Sequence, residues 1–428
     1  MMKLLMTMPA IPYPINSGGN NVFFQMIDRI RSYAEISLIV PVTEKDAESM
    51  AVLMSRWNNV RFYFYHSDKE YDNENGGAFS VRLLSKLKAS VTRKLDRRLN
   101  KYKSSELLRR YTILNNKSKL NEGFINFVYN VVHSDKFDLI QIDFFELIDL
   151  VNILPENLKK VFIHHELRFV RALQELNLME TRIPKDYFLY NTIKKFEIAN
   201  LNAYDAVVTL TNEDKEKLKT ELRKDILIES SPVIVDIEKT EMPESYCFKN
   251  KLVFLGGSDH YPNFDAVYWF LNNCWENIRK ARPDMEFHII GKWNSKLKKE
   301  YSAKYENLMF DGFVENLSLA FEGAVMVVPL RIGSGIRIKI MDAVNKGTPF
   351  ISTAIGVEGI GLEDGKDCLI ADESESFVDA VLRLSGSNTL CNELRRNAKR
   401  KLDVRPDAAQ LARVRLDIYK KILSLPSE

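Results

Sequence analysis

Through most of the chain, short apolar runs alternate with stretches whose apolar residues fall at helical spacing. Lys3–Met8 is the first run, continuous as in a buried strand. It feeds the turn-rich Pro9–Asn20. Val22, Phe23, Met26, Ile27 and Ile30 then recur at helical spacing. Ile36–Val40 predicts a strand, Lys45–Trp57 a helix and Val60–Tyr65 another strand. After an interruption, the alternation resumes with Asp138–Ile142, Val161–Ile163 and Ala206–Leu210, separated by helical stretches such as Tyr187–Asn202. Strands alternating with helices predict a doubly wound, parallel α/β sheet.

Around Ser230–Lys249 the periodicity fades into Ser, Pro and Glu, as expected of a linker. A second alternating set follows: strands at Lys251–Leu255, Glu286–Ile290, Ala324–Pro329 and Pro349–Ser352, with helices at Pro262–Arg279, Ile336–Lys346 and Glu375–Leu384. The expected organisation is therefore a first α/β domain over 1–235 and a second over 250–405. A last helix at Pro406–Leu423, within 406–428, is placed to pack back on the first. Two such domains in tandem form a cleft between sheet edges, where α/β folds bind ligands at the carboxyl ends of strands. No internal repeat is visible.

The interruption, about 80–120, predicts a basic helical insertion in the first domain, with Asp96 and Glu106 its only acids between Val81 and Lys119. Arg82, Lys86, Lys88, Arg93, Lys94, Arg97, Arg98, Lys101 and Lys103 crowd it, and apolar residues interleave at helical spacing. A basic amphipathic helix can lie on an anionic membrane, so peripheral contact through 82–103 is one expectation. A solvated helix packed on its own domain is the other.

Composition narrows the class. The length of 428 residues suits two or three domains at roughly 150 residues each. Net charge is only +3, and no stacking aromatics accompany the basic stretch, so nucleic acid is not an expected partner. The four cysteines, Cys247, Cys274, Cys368 and Cys391, form no CxxC pair, which fits a reducing compartment without a zinc site. No run approaches the ~20 apolar residues of a membrane span. A cytoplasmic protein is expected, brought to the inner face of the cell membrane if the basic segment binds lipid.

Chemistry concentrates in Val325–Ala343. A strand runs into Gly333-Ser334-Gly335 and on into a helix carrying Arg337 and Lys339 in its first turn. Glycines let the backbone approach a ligand, and a helix start presents free N–H groups. Cations there oppose the helix dipole at about 0.3–1 kcal/mol each, which points to a bound anion such as a diphosphate. Asp342, further along the helix, is placed to accept from ribose hydroxyls. A plain surface helix after a glycine turn is the competing interpretation. Gly256-Gly257 after strand Lys251–Leu255, and Gly18-Gly19 after the first strand, repeat the strand–glycine–helix arrangement.

The stretch Val253–Leu369 resembles the donor domain of the retaining GT-B glycosyltransferases of family 4. The resemblance rests on Phe254–Gly257, Pro262–Ala266, Phe287–Gly291, Gly312–Val314, Pro329–Lys339, Gly347–Thr353 and Gly356-Val357-Glu358-Gly359. The first half is similar in outline only, through Pro12-Tyr13-Pro14 and Ser17-Gly18-Gly19. It implies two Rossmann-like domains facing across a cleft, with a UDP- or GDP-sugar as co-substrate and no cofactor. A saccharide or lipid-linked acceptor and a role in surface polysaccharide synthesis are further implications.

The family's paired acids fall on Ser334, which is not acidic, and Asp342. Its Arg and Lys pair after the first strand of this domain is missing between Ser258 and Asn263, so Arg337 and Lys339 become the candidates for diphosphate charge. Glu358 joins the expected donor contacts, and Arg337 the expected catalytic groups. In the first half, Val161–Ile163 ends in His164-His165-Glu166, where the family commonly has a His or Asp facing the sugar; both histidines remain candidates. Asp143 and Glu146 lie at the same cleft edge, as acceptor ligands or as caps of the following helix. The resemblance also implies a leaving diphosphate held by backbone amides and cations, with no evident general base from the protein. No metal-binding signature accompanies the strand ends. A nucleotide-sugar epimerase, or a non-catalytic homologue binding a nucleotide sugar or partner enzyme, remains as a rival.

Overall fold

The computed structural model describes residues 1–15, 18–66, 120–234, 242 and 244–426. The basic insertion, with its expected membrane contact, and much of the linker lie outside the described residues.

The apolar runs become two parallel sheets. In the first, the strands are β1 (Lys3–Thr7), β2 (Glu35–Val42), β3 (Val60–His66), β4 (Leu139–Asp143), β5 (Lys159–His164), β6 (Ala206–Thr209) and β7 (Leu227–Ser230). They lie in the order β3-β2-β1-β4-β5-β6-β7. Register is fixed from the centre, where Leu4 of β1 lies opposite Ile36 of β2 and Leu139 of β4. Helices cover both faces, so the strands read as continuous apolar runs. Alternation still decides which face each residue serves. Leu4 and Met6 pack with helices Gly18–Ile30 and Ala408–Leu423, whereas Leu5 joins the opposite layer around helix Glu122–Ser134.

The second sheet contains β8 (Lys251–Leu255), β9 (Glu286–Ile290), β10 (Leu308–Gly312), β11 (Ala324–Val328), β12 (Phe350–Ser352) and β13 (Leu369–Ile370). Their order is β10-β9-β8-β11-β12-β13. Its core is aromatic: Phe270 sits 4.9 Å from Phe287 and 5.8 Å from Phe377, ring centre to ring centre. Truncating such a ring to Ala costs about 3–5 kcal/mol. The helix predicted over Pro262–Arg279 is Tyr261–Phe270 continued through one wide turn, Leu271–Trp275, into Glu276–Ala281. Strands β7, β10 and β13 escaped the sequence reading. β7 is half-buried along its length and carries no strong apolar signal.

The last helix, Ala408–Leu423, returns to the first unit. Asp407 caps it by accepting from the Gln410 amide, and Leu416, Ile418, Tyr419 and Ile422 enter the first sheet's core. Among the described residues no helix is long and apolar enough to cross a membrane.

Candidate active site

Both sheets reverse strand order beside their first strand, between β1 and β4 and between β8 and β11. Parallel sheets leave a crevice at the carboxyl ends of such strands. The residues predicted for the site fall at the carboxyl ends of β1, β4, β5, β8, β11 and β12 or in the segments that follow them.

From the second unit comes the turn after β11. Gly333 has φ +136° and Gly335 φ +76°, the latter in the left-handed region that favours glycine. A Cβ on Gly335 would lie 2.1 Å from the His165 carbonyl oxygen, so the turn is pressed against the first unit's strand end. The turn's polar groups cross the cleft. The Gly333 amide donates to Gln174 Oε1 at 2.7 Å, and the Gly335 amide to Asp214 Oδ2 at 2.9 Å. Ser334 is buried, and its hydroxyl accepts from the Leu167 amide at 2.6 Å. A side chain at the family's first acidic position thus braces the first unit.

The helix after the turn is Ile338–Asn345, two residues shorter at its start than predicted, so Arg337 occupies the cap position rather than the first turn. Its guanidinium folds back to donate to the carbonyls of Gly335 and Ile355. Burial lowers its pKa, opposed by the nearby Glu166, Glu358 and Asp214 carboxylates. Lys339 lies 4.4 Å above the Phe254 ring and donates to Asn263 Oδ1 at 2.7 Å. Burial, aided by Arg337, brings its pKa down to about 7 against the pull of Asp342. A lysine half-discharged near neutrality gains full charge when an anion arrives. Asp342 itself is half-buried on the same helix.

Strand alternation separates the two histidines of the first unit. His164, the last residue of β5, points into the layer that holds Phe162. Its Nε2 lies 2.7 Å from Glu197 Oε1, and the residue is 2% exposed. Glu197 also accepts from the amides of Arg168 and Phe169 at 2.9 and 2.7 Å, so His164 belongs to a buried bracket beneath helix Arg168–Asn177. His165 takes the opposite side. Its Nε2 lies 2.8 Å from Asp143 Oδ1, and its ring stacks on Phe144 at 4.0 Å with 5° between planes. Asp143 does not cap the following helix, because both its oxygens are engaged, the second by Gln141 Nε2 at 2.6 Å. Glu146 is no cap either; it accepts from Arg168 at 2.9 Å.

A charged cluster that the sequence reading missed completes the cleft. Arg171 pairs with Glu166 at 2.9 Å and with Glu175 at 3.1 Å, and lies 3.5 Å from His260 Nε2 on the second unit. Burial pushes Glu175 up to about 7 and raises Glu166. His260 is held well below its ordinary value by burial and by Arg171, Lys339, Arg168 and Arg337. Arg168, Arg171 and Glu175 stand at spacings of three and four after a predicted strand end, and that was the available signal.

The remaining predicted residues line the same edges. A Cβ on Gly18 would touch Ile338 Cδ1 at 3.4 Å, and one on Gly19 would meet the Phe144 ring at 2.9 Å. Gly256 and Gly257 are closed in by Asn263 and by the Lys292 carbonyl, at 2.7 and 2.9 Å from the positions a Cβ would take. Glu358, predicted on the donor, is paired with Lys217 of the first unit at 2.7 Å, and Lys217 also reaches Asp214 at 3.4 Å. Among the described residues, no group of three or more His, Cys, Asp or Glu side chains is arranged to hold a metal.

Comparison with known proteins bears on this arrangement. Residues 249–387 match the family model described as glycosyl transferases group 1. An uncharacterised 44.6 kDa protein in the cps region of Klebsiella pneumoniae is 21% identical over 412 residues, covering 93% of this chain and 95% of that protein. Among solved structures, sucrose-phosphate synthase from Thermosynechococcus elongatus superposes with a TM-score of 0.70 at 12% identity, over 99% of this chain and 100% of that one. TarM superposes with a TM-score of 0.67 at 13% identity, over 99% of both chains. HepE of Anabaena, in complex with UDP and glucose, does so at 0.62 and 11% identity, over 99% of this chain and 100% of that one. The second unit thus carries a domain of the glycosyl transferases group 1, and the chain as a whole shares the two-sheet GT-B fold of these structures.

Proposed function

We propose that the protein is a retaining, family 4 type enzyme that moves a sugar from a UDP- or GDP-sugar to a saccharide or lipid-linked acceptor, in the synthesis of a surface polysaccharide. The observation that carries the donor assignment is the turn Gly333–Gly335. Its amides point across the cleft and hold two oxygens, one of an amide and one of a carboxylate, where phosphate oxygens would sit. UDP is bound by the similarly folded HepE, which favours a uridine donor. The cps-region relative favours the polysaccharide role.

In this scheme the diphosphate displaces Gln174 and Asp214 from the turn, and Lys339 and Arg337 neutralise the charge that grows on the leaving group. Asp342 takes the ribose and Glu358 completes the donor contacts. His165, oriented by Asp143, faces the transferred sugar; Glu146 belongs to the acceptor side. The leaving diphosphate oxygen accepts the proton of the attacking hydroxyl, so no metal and no protein base is required.

A panel of UDP- and GDP-sugars, incubated without acceptor, tests the proposal. Slow release of UDP or GDP from one donor, with the sugar anomer retained, is the expected outcome. Isomerised sugar with intact nucleotide would make the protein an epimerase. Binding without any turnover would make it a non-catalytic homologue.

A further inference from the structure

The last helix packs in the first unit's core, yet one of its polar side chains continues a hydrogen-bonded line to the cleft. Tyr419 is fully buried, and its hydroxyl donates to Gln141 Oε1. Gln141 Nε2 donates to Asp143 Oδ2 at 2.6 Å, and Asp143 Oδ1 accepts from His165 at 2.8 Å. Leu139, Gln141 and Asp143 share one face of β4, and that is the face the helix Ala408–Leu423 covers. In an apolar layer that includes Leu139, Val161 and Ile163, Gln141 and Asp143 are each 2% exposed. Buried polar groups without partners cost about 1–3 kcal/mol each. A chain of this kind is tolerated because every member is satisfied by the next.

We infer that Tyr419 and Gln141 are positioning residues that fix the orientation and tautomer of His165 through Asp143. This deepens, and rests on, the assignment of His165 to the sugar site. The physical reason is directional. A primary amide has a donor end and an acceptor end. Burial pushes the Tyr419 hydroxyl up to about 12, so it stays protonated and can only donate to the buried Gln141 oxygen. That turns the amide's NH₂ toward Asp143, and a reversed amide would set oxygen against carboxylate. Asp143 in turn accepts the proton on His165 Nε2, which leaves Nδ1 as the nitrogen with the lone pair. The stacked Phe144 ring blocks the alternative ring plane. An element that contributes nothing to the cleft surface thereby sets which histidine nitrogen carries the proton.

The direct test is nitrogen-detected NMR of the full chain labelled at histidine, with His165→Ala used to assign the signal. Wild type should show His165 protonated on Nε2 alone. Tyr419→Phe, which keeps the ring's packing, should show both tautomers, and Gln141→Met should show the same change by a second route. In donor turnover, Tyr419→Phe should lower kcat about tenfold with nucleotide affinity unchanged. The loss should vanish in a His165→Ala background, because both changes act on one group. An unchanged tautomer in both variants, or a loss fully additive with His165→Ala, overturns the inference. If His165→Ala leaves turnover intact while the tautomer responds as stated, the sugar-site assignment fails and the chain of hydrogen bonds stands.

Discussion

The turn Gly333–Gly335 and the strand end His164–Glu166 meet edge to edge, yet they reach the cleft by different means. The turn works through backbone: two amides and a positive φ, which need the absence of side chains. The strand end works through side chains held by other side chains, His165 by Asp143 and His164 by Glu197. A backbone site is destroyed by adding atoms. A side-chain site is destroyed by removing one partner and can be shifted without touching the cleft.

Six variants, two of them controls, probe that difference. The largest effect is expected from Gly335→Val. It combines the strain of a non-glycine residue at φ +76° with a clash against the His165 carbonyl. Misplacing the two edges by about 1 Å should slow transfer by about 100-fold or more. Gly365→Ala is the control, with φ +70° but nothing within 4 Å of its Cβ. It should lower the melting temperature while transfer continues at the wild-type rate.

His165→Ala comes next and should reduce kcat by about 100-fold, whereas His164→Gln should act mainly on stability. Equal kinetic losses from the two would erase the distinction drawn from strand alternation.

Lys339→Gln should weaken donor binding by about tenfold near pH 6.5. It should also abolish a pH dependence. Lys339 is held at about 7, so a bound anion recovers its proton. Donor affinity is then full below about 7 and falls as pH rises above it, by up to about tenfold per pH unit. Calorimetry in buffers of different ionisation enthalpy should register proton uptake by wild type alone.

The smallest effect belongs to Lys217→Met, which removes a partly exposed bridge between Asp214 and Glu358. Partly exposed pairs contribute little, so donor affinity should move by less than about threefold.

The contrast also explains what could be read from sequence. Long parallel strands were legible because burial on both faces leaves continuous apolar runs, as in Val325–Val328. The glycine turn was legible because Gly-Ser-Gly before Arg337 and Lys339 has local meaning. Gln174 and Asp214 were not, since their role comes from facing that turn across more than a hundred residues of chain. Nor was the choice between His164 and His165, which needed the side of the strand each one takes. Asp143 looked like a cap because an acid after a strand commonly is one; its actual partner lies on the neighbouring strand's end. Ser334 departs from an acidic position, and only the contact with the Leu167 amide shows what replaced it.

The donor assignment rests on the turn after β11 and its two cations. Titrating a UDP-sugar into wild type and into the Arg337→Ala, Lys339→Ala double variant tests it most directly. Affinity should fall about 100-fold for the double variant at pH 6.5, with the fold intact by circular dichroism. Equal affinity in the two proteins would contradict it.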